Sequence, residues 1–212
     1  MSKKNKKDEN NIITFNIITL GNSSVGKTSI IRKFCYNIFD ENTISTIGLS
    51  FSFKDIILKN KIKIKLKLID TGGQEKYRAL AKSYFKNADG VLFSYAKNDQ
   101  KSFNEIKDWI NLFNENNNRK DIVNYLVETK DDLERVVDEN ISREFAKTIK
   151  FGFKKTSSAR DDNSINELFQ EMGEILYKDY LKNNKGNLKQ SGLKLSTEEK
   201  KNSFCCLFKS DG

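Results

Sequence analysis

The chain has no histidine and no proline, and only three cysteines, two methionines and one tryptophan among 212 residues. Without histidine, Ser-His-Asp hydrolysis, Cys-His proteolysis, HExxH zinc chemistry and any scheme with a His general base are excluded. Three cysteines fall one short of a four-Cys zinc site. Their odd number and uneven placement, Cys35, Cys205 and Cys206, argue against a disulfide framework and for a reducing compartment. Nowhere do about 18 apolar residues run together, so no segment is expected to span a membrane. The lysine-rich start lacks the apolar stretch of a secretory signal. Apolar residues make up only 37% of the chain, although 15 Phe and many Ile can still build a core. The remaining chemistry must run on carboxylates, amides, hydroxyls, lysines, backbone N–H groups and a hard cation.

The formal net charge is +9, and most of it lies at the two ends. Residues 1–10 carry Lys3, Lys4, Lys6 and Lys7 against Asp8 and Glu9. Residues 178–212 carry eight lysines against Asp179, Glu198, Glu199 and Asp211. Basic ends suit an anionic surface such as a membrane, or serve only to solvate. No aromatic–basic platform accompanies them, so a nucleic-acid partner is not expected.

Apolar, β-branched runs at Ile12–Leu20, Val91–Tyr95 and Ile122–Val127 predict strands buried on both faces. Lys61–Leu68 alternates strictly, Ile62, Ile64, Leu66 and Leu68 against four lysines, which predicts a strand with one wet face. Leu49–Leu58, joined to it through Lys59-Asn60, completes a predicted hairpin. Apolar stripes at helical spacing occur over Lys27–Tyr36, Lys101–Asn114 and Ile165–Leu181, with Ser102 and Asn163/Ser164 as candidate N-caps. Strand–helix alternation implies an α/β fold with a mainly parallel sheet and helices on both faces. The expected organisation is a basic N-terminal extension over 1–10, one domain over 11–181 and a flexible tail over 182–212.

Gly21-Asn22-Ser23-Ser24-Val25-Gly26-Lys27-Thr28 matches GxxxxGK[ST] between a predicted strand and a predicted helix, the setting of a phosphate loop. Its backbone N–H groups would cradle phosphate at the positive end of the helix. Lys27 would meet the β/γ-phosphates, and the Thr28 hydroxyl would ligate Mg²⁺. Asp70-Thr71-Gly72-Gly73-Gln74 ends the alternating strand. There a carboxylate can hold Mg²⁺, Gly73 can bring its N–H to a γ-phosphate, and Gln74 can orient an attacking water. The polar stretch between, 37–48, holds Thr46, which could cap the metal only while a γ-phosphate is present.

The chain resembles the Ras superfamily of small GTPases, and within it the Rab family. The matching segments are Gly21–Ser29, Ser45–Gly48, Asp70–Arg78, Ser83–Phe93, Thr129–Leu133 and Thr156–Arg160. The resemblance implies a P-loop G domain with a six-stranded, mostly parallel sheet, five helices and Mg²⁺-dependent GTP hydrolysis. Carried over by position, Ser23, Ser24, Val25, Gly26, Lys27, Thr28 and Ser29 would surround the phosphates. Thr28 and Thr46 would ligate Mg²⁺ directly, and Asp70 through water. Gln74 would be the catalytic residue. Phe39 would stack on guanine, Lys130 would lie along the base, and Asp132 would accept from its N1 and N2. Ala159 would donate its N–H to the base carbonyl, Ser158 would brace Asp132, and Arg160 would complete the site. Thr129 stands for the usual Asn and can still tie base loop to phosphate loop.

Other departures are Glu128 for a usual Gly, Arg160 for Lys, Gly72 for Ala, and Ile69 for the Trp of an aromatic triad completed by Phe51 and Tyr84. Gly72 should loosen the second switch. No cis arginine finger is identifiable, so hydrolysis by the chain alone should be slow. Cys205-Cys206 resembles the Rab double-cysteine prenylation signal, although six residues follow it. The expected protein is therefore a monomeric GTP/GDP switch of membrane traffic on the cytoplasmic face of an endomembrane. Its effectors would bind through 37–53 and 70–85, alongside an exchange factor and an activating protein. The alternative is a nucleotide-locked, poorly hydrolysing scaffold.

Overall fold

The computed structural model describes residues 12–41, 46–73 and 78–184, without the side chains of Arg78 and Leu80. The strands are β1 (Thr14–Leu20), β2 (Leu49–Ile57), β3 (Lys63–Thr71), β4 (Gly90–Ala96), β5 (Val123–Thr129) and β6 (Gly152–Lys155). The helices are α1 (Lys27–Tyr36), α2 (Arg78–Phe85), α3 (Gln100–Asn104), α4 (Ile106–Asn116), α5 (Glu139–Thr148) and α6 (Ser164–Asn183). The strands form one sheet in the order β2-β3-β1-β4-β5-β6. Only β2 is antiparallel to its neighbour. This is the six-stranded, mostly parallel sheet expected.

Period-2 alternation sends neighbouring residues of a strand into two separate cores. Ile17, Leu66, Leu68, Leu92 and Val127 pack beneath α1 and α6 with Phe34, Leu168, Phe169 and Met172. Ile18, Val91, Phe93 and Leu126 pack on the other face with Phe85, Ile106, Trp109 and Phe113. On β3, Ile64, Leu66 and Leu68 are buried as predicted, between lysines that are at least partly exposed.

Three local expectations are corrected. The predicted helix over 101–114 is two helices broken at Glu105, where φ is −81° and ψ is −1°. No proline makes this break. At this position the Glu105 carboxylate accepts from Asn22 Nδ2 at 2.8 Å. The count of helical segments is therefore six among the described residues, not five. The N-cap of α3 is Asp99, whose Oδ1 accepts from Ser102 N, while Ser102 lies inside the helix with its hydroxyl donated to Asp99 O at 2.7 Å. At α6, Asn163 makes no side-chain cap. Asp162 does that work, accepting from Ser164 N at 2.9 Å.

Candidate functional site

A cavity of about 470 Å³ opens where β1, β3 and β5 end. That position, outside the carboxyl ends of parallel strands, is where open α/β sheets bind ligands. Five segments line it, and their residues fall into three groups held by identifiable contacts.

The first loop runs from β1 into α1. Gly21, at φ +142°, sits so close to β4 that a Cβ would lie 2.1 Å from Ser94 O. Ser24 adopts φ +61°, an unfavourable conformation for a non-glycine residue and a common sign of a ligand-shaped loop. Ser23, Ser24, Gly26, Lys27, Thr28 and Ser29 line the cavity. Val25 does not: its side chain is buried beneath the loop, leaving only its backbone for a ligand. Lys27 is buried, and its ammonium donates to Gly21 O at 2.9 Å and Asn22 O at 2.6 Å. Burial lowers its pKa to about 8, with Asp70 pulling the other way. A desolvated ammonium whose partners are mostly neutral carbonyls is suited to a bound anion. Asn22, unassigned by the sequence reading, also accepts from Trp109 Nε1 at 2.8 Å and so binds this loop to α4.

The second group gathers three oxygen-bearing side chains from three segments. Thr28 Oγ1 donates to Asp70 Oδ2 at 2.7 Å and lies 2.6 Å from Thr46 Oγ1, itself 3.4 Å from Oδ2. Burial pushes the Asp70 carboxyl up, partly offset by the Thr28 hydrogen bond and by Lys27. Asp70 Oδ1 is buried with no hydrogen-bond partner among the described residues. An orphaned carboxylate oxygen beside two hydroxyls is a hard-oxygen donor set that fits Mg²⁺. Among the described residues no cluster of three or more Cys, Asp or Glu offers a competing metal site. Gly73 closes on the phosphate loop: a Cβ there would fall 2.3 Å from Asn22 C and Ser23 N. Gln74 lies outside the described residues, as do Cys205 and Cys206.

The third group follows β5 and β6. The Thr129 hydroxyl sits within hydrogen-bond reach of Val25 O and 2.9 Å from Tyr95 O, a direct tie from base loop to phosphate loop. Lys130 adopts φ +57°, and with Asp132, Leu133, Ser158, Ala159 and Phe39 it lines the cavity. One assignment carried by the resemblance is corrected. Asp132 is braced by Ser157, whose Oγ donates to Oδ1 at 2.5 Å and accepts from Arg160 N at 3.1 Å. Ser157 is the serine directed under the loop, whereas Ser158 borders the cavity. Arg160 is corrected too: its side chain turns to Asp131, 3.4 Å away, and does not line the cavity. Asp40, Glu41, Thr71 and Leu133 do line it and were missed. Asp40 and Glu41 stand outside every matched segment, whereas Thr71 and Leu133 lie inside two of them without a role attached.

A family model described as Ras family matches residues 16–178. The chain belongs to the Ras family of small GTPases, GTP hydrolases that in general bind guanine nucleotide with Mg²⁺. Within that family its similarity runs to the Rab proteins. It is 37% identical over 169 residues to the Ras-related protein Rab-11B of Dictyostelium discoideum, covering 79% of this chain and 76% of the relative. It is 32% identical over 197 residues to the Ras-related protein SEC4 of Saccharomyces cerevisiae, covering 90% of each. Against human Rab-3A it is 32% identical over 177 residues, with 82% of this chain and 79% of the relative covered. The protein is thus a Rab-like small GTPase.

Proposed function

We propose that this chain binds GTP and GDP with Mg²⁺ in the cavity at the ends of β1, β3 and β5, and acts as a slow switch in vesicle traffic. The observation that carries the reading is the convergence of Thr28, Thr46 and the half-satisfied Asp70 beside the buried Lys27. Mg²⁺, when bound, neutralises charge on the β- and γ-phosphates. Thr28 and Thr46 would hold it directly and Asp70 through water. Ser23, Ser24, Gly26 and Ser29 would surround the phosphates, with Val25 contributing its N–H. Lys130 and Phe39 would bracket the base, and Asp132 would select guanine. Gln74 would orient the water. Thr46 and Gly73 belong to the segments that would respond to the γ-phosphate.

Partner binding through 37–53 and 70–85 is supported by the exposed apolar side chains Ile38, Ile47, Phe51 and Phe53 along the first of these segments. The rings of Phe51 and Tyr84 lie 5.3 Å apart. Ile69, paired with Phe51 in the ladder, is buried, so this patch presents two rings where three are usual. No helix among the described residues is long and apolar enough to cross a membrane. Attachment to an endomembrane would therefore rest on the basic tail and lipidated Cys205 and Cys206. Mass spectrometry of the protein from its own cells tests this; unmodified cysteines exclude the anchor.

The decisive assay of function is single-turnover hydrolysis by the purified chain. The expected result is co-purified guanine nucleotide and slow, Mg²⁺-dependent release of phosphate, abolished by Gln74→Leu. Bound GTP that never turns over would select the scaffold reading.

A further inference from the structure

Glu128 stands where the family usually has glycine, and no nucleotide contact accounts for a carboxylate there. It is wholly buried near the end of β5, directly before Thr129. A buried carboxylate is costly unless fully partnered, and this one is. Arg135 donates from Nη2 to Oε1 at 2.7 Å and from Nη1 to Oε2 at 2.9 Å. The Tyr95 phenol, from β4, donates to Oε2 at 2.6 Å. The same guanidinium donates to Val137 O at 2.9 Å and to Glu139 at 3.2 Å. Glu139 is held in turn by Arg143 and by Lys155 of β6.

This pair joins the two ends of the loop that faces the base. Between Glu128 and Arg135 lie Thr129, Lys130, Asp132 and Leu133, all of which line the cavity. Lys97 secures the middle, donating to Asp131 O at 2.8 Å and accepting at its own carbonyl from the Val136 and Val137 amides. A bidentate fork fixes orientation as well as distance, which a lysine point charge does not. With glycine at 128 there is no side chain to make such a closure.

We propose that Glu128 and Arg135 are a positioning pair that sets how long guanine nucleotide stays bound and how well guanine is told from a base lacking the 2-amino group. The proposal rests on the guanine-site reading above. Asp132 would do the recognising; the Glu128–Arg135 closure, with Ser157, determines where Asp132 stands.

The test compares release and affinity of GDP and IDP for the full chain and two variants, with thermal melting recorded on the same samples. Arg135→Lys keeps the charge and loses the fork. Glu128→Gln keeps the shape and the Tyr95 acceptor and loses the charge. Each variant is expected to release GDP about fivefold or more faster, and to lose about threefold or more of the GDP-over-IDP preference, on the scale of one weakened charged hydrogen bond. A lowered melting temperature with an unchanged GDP-over-IDP ratio overturns the proposal and leaves the pair a structural staple. If Arg135→Lys does not fold, the ratio in Glu128→Gln decides in the same way. A parent chain that holds GDP no better than IDP or ADP overturns the guanine-site reading itself, a failure distinct from that of the pair.

Discussion

Ser157→Ala should weaken guanine nucleotide binding much more than Ser158→Ala, the reverse of what the family resemblance suggests. The Ser157 hydroxyl donates to Asp132 Oδ1 at 2.5 Å, a charge-assisted bond. Such a bond contributes about 1.5–3 kcal/mol when buried. Asp132 is half-buried, so the lower part of that range applies, about 1.5–2 kcal/mol, or roughly 10- to 30-fold in affinity. The Ser157 oxygen also accepts from Arg160 N at 3.1 Å, so its loss frees the turn that carries Ala159. Ser158 makes no hydrogen bond to Asp132 among the described residues, so its alanine variant should lie within about threefold of the parent. Displacement of a fluorescent GDP analogue by excess GDP measures both variants under one condition. If Ser158→Ala matches or exceeds Ser157→Ala, the brace has been assigned to the wrong serine and the argument fails.

Gly73→Ala places a Cβ onto the Asn22–Ser23 backbone, so the segment must retreat from the phosphate loop. Overpacking of this kind costs about 1–3 kcal/mol. A non-hydrolysable GTP analogue should lose about fivefold or more in affinity relative to GDP; an unchanged ratio counts against Gly73 as a γ-phosphate contact. Phe169→Ala removes a ring stacked on Phe34 at 4.0 Å in the α1–α6 core and should lower unfolding free energy by about 3–5 kcal/mol in urea. A loss under about 1 kcal/mol would refute that packing. Burial alone would raise the Glu139 carboxyl, but the hydrogen bonds from Arg143 and Lys155 outweigh it and hold its pKa below the ordinary glutamate value. With the folded value below the unfolded one, its stabilisation is complete above the unfolded pKa and is lost as pH falls through the folded one. Urea midpoints between pH 6 and 3 should fall less steeply in Glu139→Gln; an equally steep fall contradicts the assignment.

The elements easiest to read in the sequence are those whose pattern is set by burial alone. β3 shows its wet and dry faces because lysine and isoleucine or leucine alternate, and β4 is apolar apart from Ser94 because both its faces are covered. The phosphate loop was legible because spacing and the strand–loop–helix setting coincide. What escaped was decided by contacts distant in sequence. At the break, Glu105 meets Asn22, 83 residues away. The choice between Ser157 and Ser158 turns on which side of the last turn after β6 faces Asp132, and two adjacent serines carry no signal of that. Glu128 read as a departure from the family. Its partner Arg135 is seven residues on, in a loop with no periodicity to suggest that the two meet.

The cavity at the ends of β1, β3 and β5 is proposed to hold guanine nucleotide through Mg²⁺. Equilibrium binding of GDP and ADP to the full chain, each with Mg²⁺ present and with Mg²⁺ chelated, tests it most directly. GDP should be preferred over ADP by on the order of 10³-fold or more, since a site built to bond one base leaves buried polar groups unpaired with the other. Chelation should also loosen GDP, because Thr28 and Asp70 would then lose the cation proposed to sit between them and the β-phosphate. Comparable affinity for ADP, or GDP binding indifferent to Mg²⁺, would contradict it.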